Sequence, residues 1–274
     1  MRVVVISDVH CGSHYAVFPP NYFDEDTGTM IIANEWQQKL YEEWERLANE
    51  LSPVDIIVLL GDVVEGNETK AKFKTLILPN IQQQAKAFLK LMEPWKWRKI
   101  FVVIGTTYHV TSDGFLIEDY IAHRLNAEIH HNKRAFNDLP LEIKGKTVHF
   151  AHGISYSKVP HYQATPLARE LWLMRVNDDY YGKFDLIVRG HVHYYMLLDR
   201  AKGAIITCPC WQYPTPYQRK LSVFGARADL GIVELIFNER GYGVEKHLIE
   251  LQKPEVVKIE DETEVIKIDD KDEM

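Results

Sequence analysis

Short runs of apolar residues alternate with amphipathic segments along most of the chain. Six of these runs are continuously apolar, which predicts strands covered on both faces, because a strand with one solvated face alternates between apolar and polar residues. The six runs span residues 3–6, 56–60, 100–104, 148–151, 186–188 and 204–207.

Two segments between the early strands have the spacing of amphipathic helices. Their apolar residues are Trp36, Leu40, Trp44, Leu47, Ala48 and Leu51 in segment 35–51, and Ala85, Phe88, Leu89 and Met92 in segment 81–92. Strands that alternate with helices predict an α/β fold. Residues 229–237 and 243–251 predict a hairpin with its turn at 238–241. The pairs Trp36/Trp44 and Trp95/Trp97 are expected to pack in the core or between layers.

A chain of 274 residues is long enough for one large core that buries roughly 75% of the surface of the unfolded chain. No repeat, low-complexity linker or break in composition demands a second domain. We therefore expect a single domain over residues 1–252, followed by an acidic tail over 253–274. The tail is most simply a solvated terminus, with a short strand at 264–268 as an alternative.

The formal net charge of −7 is concentrated in that tail, which holds nine acidic and four basic residues. The rest of the chain is almost neutral, so overall charge neither steers it strongly to nucleic acid nor excludes such a partner. No apolar run reaches the roughly 18 residues of a membrane span. Three cysteines give no disulfide framework. We expect a cytosolic protein without a membrane partner.

Polar residues that can bind metals follow the predicted strands. They are Asp8, His10, Asp62, His152, His191 and His193. Ligands of open α/β sheets bind at the ends of strands. On an extended chain, a spacing of two residues also turns both side chains of Asp8 and His10, or of His191 and His193, to the same side.

One aspartate or histidine at a strand end is usually a cap or a turn residue. Six such residues at the ends of neighbouring strands are not explained in this way. Two carboxylates and four imidazoles gathered at one edge are costly unless cations neutralise them. Imidazole nitrogen together with carboxylate oxygen suits Mn, Fe or Zn better than Ca, which prefers oxygen alone. The set is large enough for two ions.

The chain resembles the calcineurin-like metallophosphoesterases over about residues 1–210. The resemblance is specific because five motifs occur in the family's usual order. They are DVH (8–10), GDVVEGN (61–67), GTTYH (105–109), HG (152–153) and GHVH (190–193). It implies a four-layer α/β/β/α sandwich with two divalent metal ions at the strand ends, manganese being the first candidate and iron, zinc or nickel the others.

The family pattern places Asp8, His10, Asp62 and His193 on the first metal, and Asp62, His152 and His191 on the second, with Asp62 bridging. The implied reaction is direct hydrolysis of a phosphate ester by a hydroxide that the metals activate.

The third motif departs from the family's Gly-Asn-His, because Gly105 is followed by Thr106, Thr107, Tyr108 and His109. We expect His109 to reach the cleft, either as the catalytic imidazole or as a substitute ligand of the second metal, while Thr106 takes the asparagine's place. Replacing His109 with Ala separates the roles, because a ligand's loss lowers the metal content whereas a catalytic imidazole's loss lowers turnover at full metal occupancy.

The substrate is expected to be a phosphate ester, with nucleic acid as one candidate. DVHCGS, GDVVEGN and the variant third motif resemble phage- and prophage-type members. Residues 8–12 also fit the Asp-x-His-x-Gly pattern with which the family's DNA-repair nucleases begin, and this favours a phosphodiesterase or nuclease. A phosphomonoesterase and a scaffold with a degenerate metal site are the alternatives. Candidate substrate contacts are Thr106, Tyr108, Arg169 and Arg189; His14, His161, Tyr162, the insertion 15–34 and the aromatic and basic segment 208–220 are candidate borders of the cleft.

Overall fold

The computed structural model describes residues 1–67, 74–106, 116–157, 159–201, 203–216 and 228–250. Tyr108, His109, the basic end of segment 208–220 and the acidic tail lie outside these ranges, so their predicted roles stay predictions. The domain boundary at residue 252 likewise stays a prediction.

The described ranges contain strands that agree closely with the apolar runs. In chain order they are β1 (Arg2–Ile6), β2 (Asn21–Asp24), β3 (Thr29–Ile32), β4 (Val54–Leu60), β5 (Trp97–Val103), β6 (Ala135–Phe136), β7 (Asp138–Ile143), β8 (Lys146–Ala151), β9 (Leu186–Arg189), β10 (Met196–Arg200), β11 (Gly203–Thr207), β12 (Leu230–Asn238) and β13 (Gly241–Ile249). The helices are α1 (Glu35–Leu51), α2 (Ile81–Leu91), α3 (Ile117–Arg124), α4 (Ala164–Val176) and α5 (Asp178–Tyr181), with a 3₁₀ turn at Pro160–Tyr162 before α4.

The strands form two large sheets and one small hairpin. The first sheet has the order β13-β12-β1-β4-β5-β6, and the second has the order β10-β11-β9-β8-β7. Strands β1, β4, β5 and β6 run parallel in the first sheet, as do β8, β9 and β11 in the second. Each sheet therefore brings several carboxyl-terminal strand ends to one edge.

The described residues form three apolar clusters, which lie between four layers. Residues such as Val5, Val58 and Phe150 pack between the two sheets. The other face of the first sheet packs against α1, α2 and α3, with Trp44 among the buried side chains. The outer face of the second sheet packs against α4 through Leu171 and its neighbours. The fold is thus the expected α/β/β/α sandwich, built by strands that are buried on both faces.

The expectation for Trp36 needs correction. Trp36 does not pack in the core: it is 45% exposed, and its ring meets Tyr213 edge-on at a centroid distance of 5.6 Å. Within the insertion 15–34, β2 and β3 pair as an antiparallel hairpin. Among the described residues, no helix combines the length and the apolar character that crossing a membrane requires.

Candidate metal centre

The carboxyl-terminal ends of β1, β4, β8 and β9 converge where the edges of the two sheets meet. Backbone hydrogen bonds join the loops that leave these strands. The Asp8 amide donates to the Gly61 carbonyl at 3.2 Å, and the Gly190 amide donates to the His152 carbonyl at 3.0 Å. The chain beyond β11 joins them, because the Trp211 amide donates to the Asp8 carbonyl at 3.0 Å.

Five of the six candidate metal ligands have left-handed backbone conformations. Their φ angles are 51° for Asp8, 50° for His10, 47° for Asp62, 71° for His191 and 59° for His193. Such conformations cost about 1–3 kcal/mol each for residues other than glycine and cluster at functional sites. The side chains therefore do not converge by the alternation of an extended chain, as the spacing suggested, but because the backbone turns sharply at each of them.

The first group of candidate ligands consists of Asp8, His10 and His193, whose ligand atoms all lie within 4.8 Å of one another. His10 Nε2 and His193 Nε2 are 3.1 Å apart, and His193 Nε2 lies 3.2 Å from Asp8 Oδ1. Two imidazole nitrogens that bind one ion at about 2.0–2.1 Å are themselves about 3 Å apart. The spacing therefore fits two ligands of a single cation.

The second group consists of Asp62, His152 and His191, again with ligand atoms within 4.8 Å of one another. His152 Nδ1 lies 2.7 Å from the Leu60 carbonyl, to which it can only donate, so Nε2 is the ligand nitrogen of the neutral ring. Among the described residues this buried Nε2 has no hydrogen-bond partner, and it lies 3.0 Å from Asp62 Oδ2. A cation between these two acceptors would satisfy both, so the donor set fits a metal.

The two groups adjoin through Asp8. Its Oδ1 lies 3.8 Å from His152 Nε2 in the second group, and the His191 amide donates to Oδ2 at 3.0 Å. Ser7 Oγ also donates to Oδ2, at 2.5 Å. The carboxylate is fully buried and held by protein donors, which fixes its orientation.

Electrostatics favour positive charge at this position. Burial disfavours the charged form of His10, but Glu65 and Asp8 outweigh it and raise the pKa of His10 to about 10. Burial likewise opposes the charge on His152, yet Asp8 and Asp62 raise its pKa to about 9. A field that retains protons on buried imidazoles also stabilises a divalent cation, whose charge is larger.

Neighbouring charges also outweigh burial at Asp8 and His193, whereas burial prevails at His191. Burial opposes the negative charge of Asp8, but His152 and His193 hold the pKa of its carboxyl well below the usual value. Burial opposes the positive charge of His193, whereas Cys210 and Asp8 hold its pKa well above the usual value. For His191 burial prevails and lowers the pKa, which leaves a neutral ring suited to binding a metal.

Three glycines of the sequence motifs leave room for the ligands. A Cβ at Gly61 would lie 2.6 Å from His152 Nδ1, and one at Gly190 would lie 2.9 Å from Asp8 Oδ2. A Cβ at Gly105 would collide with the Asp62 carboxylate. This close approach explains why a glycine stands two residues after the end of β5.

Thr106, which follows Gly105 where the asparagine is missing, lies beside Asp62. Its amide donates to Asp62 Oδ1 at 2.6 Å, and its hydroxyl lies 3.2 Å from both carboxylate oxygens. Glu118 of α3 accepts the Gly105 amide at 3.2 Å, and burial raises the pKa of Glu118 to about 7. In this structure Thr106 thus orients the carboxylate of Asp62.

Arg189, a candidate contact for substrate phosphate, is placed elsewhere. Residues alternate along β9, so Val188 faces the other sheet while Arg189 lies under α4. It is 2% exposed, Nη2 donates to Glu170 at 2.8 Å, and Nη1 lies 3.0 Å from His149 Nδ1. The expectation for Arg189 is therefore wrong. Arg169 lies on the exposed face of α4, and its role stays a prediction.

Sequence reasoning missed two partners of the cluster. Glu65 lies 2.9 Å from His10 Nδ1, and Gln212 Nε2 donates to the same Glu65 oxygen at 2.7 Å. The signal for Glu65 was a charged residue inside GDVVEGN, next to the apolar pair Val63 and Val64. Gln212 is 147 positions away from Glu65, and no local pattern marks it.

The family model of the calcineurin-like phosphoesterases matches residues 1–195. Among curated proteins, no sequence matches the chain.

Solved structures of similar fold share little sequence with the chain. A single mutant of Vps29 from Entamoeba histolytica is 12% identical, with a TM-score of 0.43 over 91% of this chain and 100% of that one. An archaeal phosphodiesterase is 12% identical, with a TM-score of 0.45 over 90% and 100%. A predicted phosphoesterase from Streptococcus pneumoniae is 11% identical, with a TM-score of 0.42 over 90% and 88%.

The family match rests on the part of the chain that carries all five motifs, and it covers well over half of the 274 residues. The chain belongs to the calcineurin-like phosphoesterase family.

Proposed function

We propose that the protein hydrolyses phosphate esters with two divalent cations, manganese being the first candidate. Asp8, His10 and His193 would hold one ion, His152 and His191 the other, and Asp62 would bridge them. The observation that supports this most strongly is the pair of adjoining ligand groups, each with its atoms within 4.8 Å, at the meeting edges of the two sheets.

Two ions bound there would supply the positive charge that polarises a phosphoryl oxygen and acidifies a water. The chain's own residues fix the ligands. Ser7 and the His191 amide hold Asp8, Thr106 holds Asp62, and the Leu60 carbonyl sets the tautomer of His152. Ligands held in this way need little rearrangement when charge develops on the substrate.

A cysteine nucleophile does not fit this site. Cys11, Cys208 and Cys210 are all buried, and burial raises the pKa of the Cys11 and Cys208 thiols. A buried thiol with a raised pKa is a poor nucleophile. Direct attack by water is therefore the simpler route to hydrolysis.

Exposed aromatic residues in the segment that follows His152 favour a phosphodiester of nucleic acid as the substrate. Tyr156 and Tyr162 are 54% and 55% exposed, on the segment that runs from His152 to α4. The end of that segment is joined to the residue after His193, because the hydroxyl of Tyr194 donates to the Gln163 carbonyl at 3.4 Å. Exposed rings beside a phosphate-binding site can stack bases, at about 1–3 kcal/mol per base.

A hydrolysis screen of the metal-free protein supplemented with Mn²⁺ tests the proposal. Its substrates are p-nitrophenyl phosphate, bis(p-nitrophenyl) phosphate, and single- and double-stranded oligonucleotides. We expect the diester and at least one oligonucleotide to be cleaved, and a chelator to abolish cleavage. Preference for the monoester would favour the phosphomonoesterase alternative, and a folded protein that binds no metal would favour the scaffold.

The aromatic residues have a test of their own. Replacing Tyr156 and Tyr162 with Leu should raise the KM for a single-stranded oligonucleotide about tenfold, because stacking on a base is lost. Hydrolysis of bis(p-nitrophenyl) phosphate should not change. Trp172→Leu is the matched control, since this ring is 61% exposed near the other end of α4. An equal effect of the control would count against base stacking next to the metals.

A further inference from the structure

Glu65 is a buried carboxylate held between two parts of the chain. It is 4% exposed, and its Oε2 lies 2.9 Å from His10 Nδ1 and accepts a hydrogen bond from Gln212 Nε2 at 2.7 Å. Its amide donates to the Cys11 carbonyl at 3.0 Å, which ties its backbone to the loop that carries His10. A buried charge of this kind is costly unless neighbouring groups pair with it and donate hydrogen bonds to it.

The contact with Glu65 decides which nitrogen of His10 faces the other ligands. A carboxylate can only accept, so the nitrogen beside it must carry a proton. In the neutral ring, Nδ1 is then protonated and Nε2 carries the lone pair. Nε2 is the atom 3.1 Å from His193 Nε2. The carboxylate therefore turns the lone pair of His10 toward Asp8 and His193.

We infer that Glu65 is the positioning residue of the first cation, acting through His10, with Gln212 holding its carboxylate in place. This inference rests on the proposed metal centre and adds a role that the six ligands do not explain. Carboxylates that accept the second N–H of a ligand histidine fix its tautomer and orientation, and their loss typically lowers metal affinity 10–100-fold. The charge also strengthens the imidazole as a ligand.

The inference predicts an effect on one of two ions. Glu65 contacts His10 in the first group, whereas His152 in the second group is oriented by the Leu60 carbonyl instead. Removing the charge of Glu65 should therefore weaken one class of binding site and spare the other. A purely structural role would lower the stability of the metal-free protein and affect both classes alike.

The test is calorimetric titration of the metal-free protein with Mn²⁺ alone. The variants are Glu65→Gln, which keeps the shape and removes the charge, and Gln212→Ala, which removes one hydrogen bond to the carboxylate. Glu42→Gln is the matched control, because Glu42 is an exposed glutamate on α1. His193→Ala identifies the class that belongs to the first group. Thermal unfolding of each metal-free variant shows whether the fold is kept.

For Glu65→Gln we expect Mn²⁺ affinity to fall 10–100-fold in the class that His193→Ala removes, with the other class unchanged. For Gln212→Ala we expect a smaller loss, about threefold to fivefold, in the same class. Wild-type affinity in both classes of Glu65→Gln, or equal weakening of both together with a lower midpoint of thermal unfolding, would overturn the inference. If Glu65→Gln does not fold, an unaltered affinity of Gln212→Ala would overturn it.

These outcomes are distinct from failure of the proposed function. A wild-type protein that binds Mn²⁺ but cleaves no phosphate ester would refute the function and leave the positioning role standing. A wild-type protein that cleaves a diester while Glu65→Gln binds both ions normally would refute the role alone. A wild-type protein that binds no ion would refute both.

Discussion

Two buried histidines only three positions apart in the chain have opposite electrostatic environments. His149 lies within β8, on the face covered by α4, where burial and the Arg189 guanidinium lower its pKa to about 4. His152 follows the end of the same strand, where Asp8 and Asp62 overcome the effect of burial and raise its pKa to about 9. Both residues are at most 4% exposed, so burial alone cannot account for the difference.

The comparison shows that the charges of the neighbours, and not the depth of burial, decide whether a buried imidazole can serve a cation. Around His149 the cation is already present as Arg189, which is paired with Glu170. Around His152 the protein supplies the carboxylates of Asp8 and Asp62. One region is therefore a structural cluster, and the other is a candidate metal centre.

The largest expected effect, on turnover, comes from removing a carboxylate beside His152. In Asp62→Asn, turnover of a phosphodiester should fall roughly 1,000-fold, since metals supply several kcal/mol of transition-state stabilisation and Asp62 would bridge both. The matched control is Asp138→Asn, whose side chain is 66% exposed and lies 3.4 Å from His149. Steady-state kinetics of both variants check the prediction, and similar losses in both would contradict it.

The surroundings of His149 should make the stability of the fold depend on pH. His149 has an ordinary pKa of 6.5 in the unfolded chain and about 4 in the fold, so the unfolded chain binds the extra proton between these values. The free energy of unfolding should fall by about 3 kcal/mol through this group as the pH drops from 6.5 to 4. Urea unfolding at several pH values should show a weaker decline in His149→Gln, and parallel profiles would refute the assignment.

A smaller effect, on metal affinity, is expected from replacing a glycine that lies against a candidate ligand. In Gly105→Ala the added methyl group would collide with the Asp62 carboxylate, and Mn²⁺ affinity should fall about 10–100-fold. Gly153→Ala is the control, because a Cβ at Gly153 meets no atom within 4 Å although His152 precedes it. Metal titration of the two variants is the measurement, and equal affinities would show that the site tolerates the displacement.

The smallest effect should follow loss of the hydroxyl that contacts Asp62. Thr106→Val keeps the amide hydrogen bond and removes the hydroxyl, so turnover should fall about fivefold, which corresponds to about 1 kcal/mol. Thr207→Val is the control, since the Thr207 hydroxyl is buried and has no hydrogen-bond partner in the part of the chain that the structure describes. Wild-type kinetics in Thr106→Val would mean that the amide alone orients Asp62.

The apolar pattern predicted an α/β fold with doubly covered strands, the family resemblance implied the four layers, and the motifs indicated the six candidate ligands. Continuous apolar runs mark doubly covered strands, and the ordered motifs mark the strand ends. The sequence did not predict why Asp8 and His10 converge, because left-handed conformations at residues other than glycine have no reliable local signature. It also misassigned Arg189, since its partner Glu170 lies on a helix that the apolar pattern did not mark.

Partners distant in the chain were equally hidden. Glu65 and Gln212 meet only because the loop after β4 and the chain after β11 converge on the same edge. A pattern in either segment cannot report a contact with the other. Ligand types can thus be predicted from motifs, whereas the residues that orient the ligands require the fold.

Metal stoichiometry measured together with turnover tests the central claim most directly. The protein is freed of metal with a chelator and dialysed against increasing Mn²⁺, and bound manganese is determined beside the rate of bis(p-nitrophenyl) phosphate hydrolysis. The account predicts two ions per chain and a rate that reaches its maximum only as the second ion binds. Full turnover without metal, or saturation at one ion or none, would contradict it.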